Sequence, residues 1–116
     1  MSRKINPYYN PEKLELELYS LGEPGLSYEY NTLCFWATTD GKIYTASDSG
    51  CSCPTPFENY EVENQKEALK LLERVGSVSQ AEAICDGWGK DYKGKSFLTQ
   101  DETMNLSCWV KSKLKL

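Results

Sequence analysis

The sequence predicts an α+β fold: a small antiparallel sheet of three or four strands, built around a central β-hairpin and packed against two or three helices. Three observations carry that prediction. Apolar and acidic residues alternate early in the chain, an Asp-Gly dipeptide joins two strand-like runs, and the apolar spacing changes to a helical period after Asn64. At 116 residues the chain has the size of one domain, able to bury a core without crosslinks. It is read as one domain, residues 1–116, with a sheet-forming half at 1–60 and a helical half at 61–116.

Leu14, Leu16 and Leu18 alternate with Glu15 and Glu17, the period of two expected of a strand that buries one face. Gly22-Glu23-Pro24-Gly25 is a turn cluster, and Leu33 to Thr39 is rich in the aromatic and β-branched types that suit a sheet. Asp40-Gly41 favours a two-residue type I′ turn, with Lys42 to Ser47 returning antiparallel. That turn sets Ala37 opposite Tyr44, Trp36 opposite Thr45 and Phe35 opposite Ala46.

From Asn64 onward, Ala68, Leu69, Leu71, Leu72 and Val75 form one apolar stripe of a helix that Gly76 ends. Ser79-Gln80-Ala81-Glu82 has capping-box spacing and opens a short helix through Cys85 to Gly87, followed by a Gly- and Lys-rich loop from Asp86 to Ser96. Thr99-Gln100-Asp101-Glu102 is a second capping box, with Leu106, Trp109, Val110 and Leu114 as the stripe of a third helix. Cys108, Val110, Leu114 and Leu116 also fit the alternation of a strand; the helix is preferred.

Lys and Arg number 13 against 17 Asp and Glu, a net charge of -4, so nothing attracts a phosphate backbone and direct nucleic-acid binding is not expected. The charges interleave, whereas imitation of a duplex needs a denser acidic face. No apolar run approaches the roughly 20 residues that cross a bilayer, and Met1 to Asn10 lacks the apolar core of a secretion signal, so no membrane contact and a cytoplasmic location are expected. Five cysteines (Cys34, Cys51, Cys53, Cys85 and Cys108), an odd number, fit a reducing compartment. The sequence has no histidine, which removes Ser-His and Cys-His nucleophile pairs and the imidazole proton shuttle.

The run Asp48-Ser49-Gly50-Cys51-Ser52-Cys53-Pro54-Thr55-Pro56-Phe57 is the most site-like stretch, because a glycine and two prolines make a stiff loop carrying two thiols. Cys51 and Cys53 could hold zinc only if two further ligands converged from Cys34, Cys85 or Cys108, each of which lies in an apolar pattern. A dithiol redox motif separates its cysteines by two residues, and here the separation is one. The thiols are therefore read as architecture, with no metal and no cofactor expected. Gly89-Lys90-Asp91-Tyr92-Lys93-Gly94-Lys95-Ser96 matches the phosphate-cradling P-loop pattern, but a helix end precedes it where the mechanism needs a buried strand, so it is read as a basic loop. Tyr8, Tyr9, Tyr28, Tyr30, Trp88 and Tyr92 are candidates for aromatic contacts with a partner.

Tyr9-Asn10-Pro11-Glu12, Ser27-Tyr28-Glu29-Tyr30, Trp36 through Asp40-Gly41 and Asp48 through Glu58 together resemble a family of small uncharacterised phage and prophage proteins. The resemblance covers the first half, to about Tyr60, and its most specific part is the Asp-Ser-Gly-Cys-Ser-Cys-Pro-x-Pro-Phe-Glu core. It implies a stoichiometric binder that blocks, redirects or protects a host complex, such as a CRISPR defence effector or the transcription machinery. The expectation is a non-catalytic phage accessory protein, with a host protein or protein complex as partner. Its contact loop is Asp48, Gly50, Cys51, Cys53, Pro54, Pro56 and Phe57. There Pro54 and Pro56 limit the entropy lost on docking, and Phe57 supplies an apolar anchor. The alternative is a small thiol- or zinc-dependent protein using Cys51 and Cys53, with Asp48, Lys90 or Lys95 tuning the thiol.

Overall fold

The computed structural model describes residues 4–23, 29–51, 60–87 and 100–114. Among them, four strands form one antiparallel sheet in sequential order: β1 (Leu16–Glu23), β2 (Glu29–Thr38), β3 (Ile43–Cys51) and β4 (Glu73–Val75). Three helices accompany it: α1 (Gln65–Leu71), α2 (Val78–Gly87) and α3 (Gln100–Lys113). The α+β expectation therefore holds, and the end of the chain that fitted both periods is helix.

Both faces of the sheet are covered, giving three layers. On one face Leu21, Leu33, Phe35, Ala37, Ile43 and Val75 pack with Ala81 and Cys85 of α2 and Leu106 and Val110 of α3. On the other, Leu16, Cys34 and Trp36 pack with Leu14, Val62, and Ala68 and Leu72 around α1. Successive residues of a strand point to opposite faces, so β2 feeds both cores from one unbroken apolar run. Cys34, Phe35 and Trp36 are each 0% exposed.

The amino-terminal segment is fastened to the second face. Ile5 and Val62 exchange backbone hydrogen bonds of 2.6 and 2.9 Å, and the Trp36 indole N–H donates to the Pro7 carbonyl at 2.8 Å. The buried Asn6 side chain accepts from the backbone N–H of Tyr8 at 2.8 Å, folding the chain into a turn. A short 3-10 turn, Pro11–Leu14, then leads to Glu15, whose φ of 57° is left-handed. Glu15 makes a corner, so Leu14 and Leu16 are both buried although the strand begins only at Leu16. This corrects the strand start read from the Leu-Glu alternation.

The hairpin register also differs, by one residue. Ala37 faces Ile43, Trp36 faces Tyr44 and Phe35 faces Thr45, because the loop holds three residues, Thr39, Asp40 and Gly41. Gly41 has φ 88° and donates its N–H to the Thr38 carbonyl at 3.2 Å, the geometry of a turn closed by a left-handed glycine. The Thr38 side chain secures it, donating to the Asp40 carboxylate and accepting from the Lys42 N–H. A slip of one residue inverts the faces, and burial decides between the registers: Ile43 and Thr45 must join Phe35 under α2 and α3.

A third correction concerns α1. Asn64 caps it by accepting from the Glu67 N–H at 2.9 Å, but the helix ends at Leu71 and Glu73–Val75 becomes β4. Leu72 is buried on the α1 side of the sheet and Val75 on the α2 side, which one helical stripe cannot achieve. The chain passes round the sheet edge here as a strand beside Ile43, Tyr44 and Thr45, with the Arg74 guanidinium over the Tyr44 ring at 5.6 Å. The half expected to be helical thus contributes a strand. For α2 the cap is Ser77, which accepts from the Gln80 N–H at 3.1 Å, two residues before the predicted box.

Two substitutions test this account in thermal or urea unfolding. Gly41→Ala should cost about 1 kcal/mol, since an L side chain resists the left-handed turn. Trp36→Phe should cost about 2–3 kcal/mol, because it opens space in the core and strands the Pro7 carbonyl without its donor.

Candidate functional site

The predicted contact loop leaves the sheet from the open end of the β2–β3 hairpin. Thr32 pairs with Asp48, Tyr30 with Gly50 and Glu29 with Cys51, so the backbone is held in the ladder to the last residue of β3. Asp48 is half-buried and lies on the α1 face. Cys53, Pro54, Pro56 and Phe57 lie outside the described residues.

The description resumes at Tyr60, half-buried against the α1-side core, and two residues later Val62 is locked to Ile5. Burial raises the Tyr60 phenol above its ordinary pKa, and the negative charge of Asp48 raises it further. Asp48 and Tyr60 are therefore neighbours, so the described residues on either side of the segment lie at the same end of the sheet. Of the predicted site residues, Asp48, Gly50 and Cys51 are gathered there. Sequence reasoning missed Tyr60, whose only local signal is an aromatic shortly after the proline pair.

The remaining cysteines are dispersed. Cys34 belongs to the α1-side core, Cys85 to the α2–α3 core on the opposite face, and Cys108 is exposed on α3. Two thiols separated by the sheet cannot both join Cys51 around one ion. Among the described residues no group of three or more Cys, Asp or Glu is placed to hold a metal. Burial pushes the Cys85 thiol up to about 12, helped by Asp86 and Glu82, and burial raises Cys34 far above its ordinary range. Both remain protonated at neutral pH and are poor nucleophiles.

The Gly89–Ser96 pattern lies outside the described residues; what precedes it is α2, a helix ending at Gly87. Tyr8 and Tyr9 stack edge to face with centroids 4.9 Å apart, Tyr8 half-buried and Tyr9 exposed. Tyr8 therefore serves partly as core cover, while the side chains of Tyr28, Tyr30, Trp88 and Tyr92 are not described. At the end of the sheet away from the loop, an open pocket of about 450 Å³ is lined by Glu15, Leu16, Glu17, Ala37, Thr38, Thr39, Ser112 and Lys113. Of its three charged side chains, Glu15, Glu17 and Lys113, the lysine is already joined to one carboxylate, Lys113 Nζ to Glu17 Oε2 at 2.6 Å. No helix among the described residues is long and apolar enough to cross a membrane.

Residues 5–107 match the model of a family described as a domain of unknown function, DUF7574. The chain belongs to that family. The DUF7574 match runs from Ile5, which bridges to Val62, into α3, so it takes in the four described strands, α1, α2 and the first part of α3. No curated protein and no solved structure matches the chain.

The thiol assignments yield a direct test. In native protein at neutral pH an alkylating reagent should modify Cys108 quickly and leave Cys34 and Cys85 untouched until denaturant is added, as read by peptide mass spectrometry. A thiol whose folded pKa is raised stabilises the fold fully below its unfolded value of 9.0 and loses that contribution as pH climbs toward the folded value. Tyr8, Tyr19 and Tyr60, also raised, act in the same direction. The urea midpoint should accordingly fall between pH 8 and about 11.

Proposed function

We propose that this DUF7574 protein is a non-catalytic binding module that uses Asp48 to Phe57 to engage a host protein complex in a phage-infected cell. The observation that carries the reading is the fixation of both ends of the segment. Gly50 and Cys51 are paired to β2 on one side, and on the other Tyr60 rests against the core beside Asp48, just before the bridge of Val62 to Ile5. A loop anchored this way loses less conformational entropy on docking, and the residues Pro54 and Pro56 stiffen it further. Recognition residues commonly sit on such loops carried by a rigid scaffold.

The sheet faces support the same reading by subtraction. Both are occupied by helices and the amino-terminal segment, so a partner meets the ends and edges of the sheet. Phage origin and a host defence or transcription target rest on the resemblance carried by the Asp48–Glu58 core.

A variant with Pro54, Pro56 and Phe57 replaced by Ser should keep its unfolding temperature while its recovery of host partners in a pull-down falls by about tenfold or more, the scale of losing an anchor residue. Equal recovery by the two proteins would remove the loop from this account.

A further inference from the structure

We propose that the outer edge of β1 is a self-association surface, pairing antiparallel with β1 of a second copy to make a continuous sheet across a two-fold dimer. β1 is a terminal strand of eight residues, and among the described residues no strand pairs with its outer side. A free strand edge is a row of unpaired backbone donors and acceptors, which monomeric proteins blunt with short strands, lysines, prolines or bulges. Leu18-Tyr19-Ser20-Leu21-Gly22 carries no charge and no proline, and its pairing with β2 is continuous without a bulge. On the opposite side, β4 lines only Ile43–Thr45 with three residues, two of them Glu73 and Arg74, and β3 runs on past it from Ala46 to Cys51 with the charged Asp48 among its residues.

The apolar surface at this edge is unfinished on both faces. Tyr19 packs against Trp109 of α3 with centroids 5.3 Å apart, yet both rings are only half-buried, and Leu18 is half-buried on the other face. A second copy supplies matching groups. A two-fold axis perpendicular to the sheet at Tyr19 sets Tyr19 opposite its own copy, Leu18 opposite Ser20, Glu17 opposite Leu21 and Leu16 opposite Gly22. The four rings of Tyr19 and Trp109 then meet on the α3 side. In this register the two Glu17 carboxylates lie roughly 13 Å apart along the strands, each facing a leucine and each still bridged to its own Lys113, while Glu23 comes opposite Glu15 only past the paired residues Leu16–Gly22, where Glu15 turns the chain out of the strand. Moving the axis to Ser20 would set Glu17 opposite Glu23, and like charges directly opposed disfavour it. The two-fold axis uses both β1 edges in one contact, so pairing through β1 stops at a dimer.

Sedimentation equilibrium of the full chain over a concentration series tests the proposal. The expected mass is twice the 13.2 kDa of one chain. Tyr19→Lys opposes two lysines on the axis and Tyr19→Glu two carboxylates, so each alone should be monomeric, while an equimolar mixture should recover the dimer. Ser20→Lys alters an exposed residue, preserves the fold, and brings the new charges into diagonal contact, weakening association about tenfold or more. A wild-type protein monomeric throughout the series would overturn the proposal, as would a dimer whose stability none of the three variants changes.

Discussion

The structure depends on β2 being buried on both faces. Phe35 completes the core under α2 and α3, while Cys34 and Trp36 on either side of it complete the core under α1 and the amino-terminal segment. β1 and β3 also send residues to both clusters, but β2 places its largest side chains, Phe35 and Trp36, one in each and both fully buried, so neither layer is independent of the other. Trp36 does this with a polar group attached, and its indole N–H is satisfied by the Pro7 carbonyl instead of being buried bare. That bond explains why the irregular amino-terminal segment lies flat on the sheet: it caps the tryptophan and supplies Tyr8 to the same core.

Three layers impose a routing problem, since α1 lies on one face and α2 and α3 on the other. The chain solves it with Leu72 to Val75, which crosses the rim of the sheet as β4 and leaves a buried residue in each layer. A helix across the rim would have left the outer side of Ile43 to Thr45 unpaired. The short strand pairs it and brings Arg74 over Tyr44.

The features legible in the sequence are those with a local cause. The Leu-Glu alternation marked β1, Asp40-Gly41 marked the hairpin, and Asn64 marked a helix start, because turn chemistry and capping act over a few residues. What failed was set by tertiary packing. Asp-Gly suits both a two-residue turn and a three-residue turn ending in left-handed glycine, and only the need to bury Ile43 beneath α2 and α3 chose the second. The spacing of Leu71, Leu72 and Val75 fits a helix as well as it fits a crossing between layers. At the candidate site, Asp48 to Cys51 could be picked out from composition, whereas the nearness of Tyr60 to Asp48 follows from the path of the chain and has no sequence signature.

The two proposed contact surfaces constrain each other. In an antiparallel pairing through β1 the copies run in opposite directions, so the ends of β3 at Cys51, where the contact segments follow, lie at opposite ends of the joined sheet. They cannot meet on one compact epitope. Such a dimer instead bridges two copies of its target, or two repeats within a polymeric one, and its binding strength then depends on whether the target's spacing permits both loops to engage at once. A target that is itself an assembly with repeated subunits gains most from this geometry, because the second contact forms at high effective concentration. A single-copy target gains nothing from it, and there the loop would act alone.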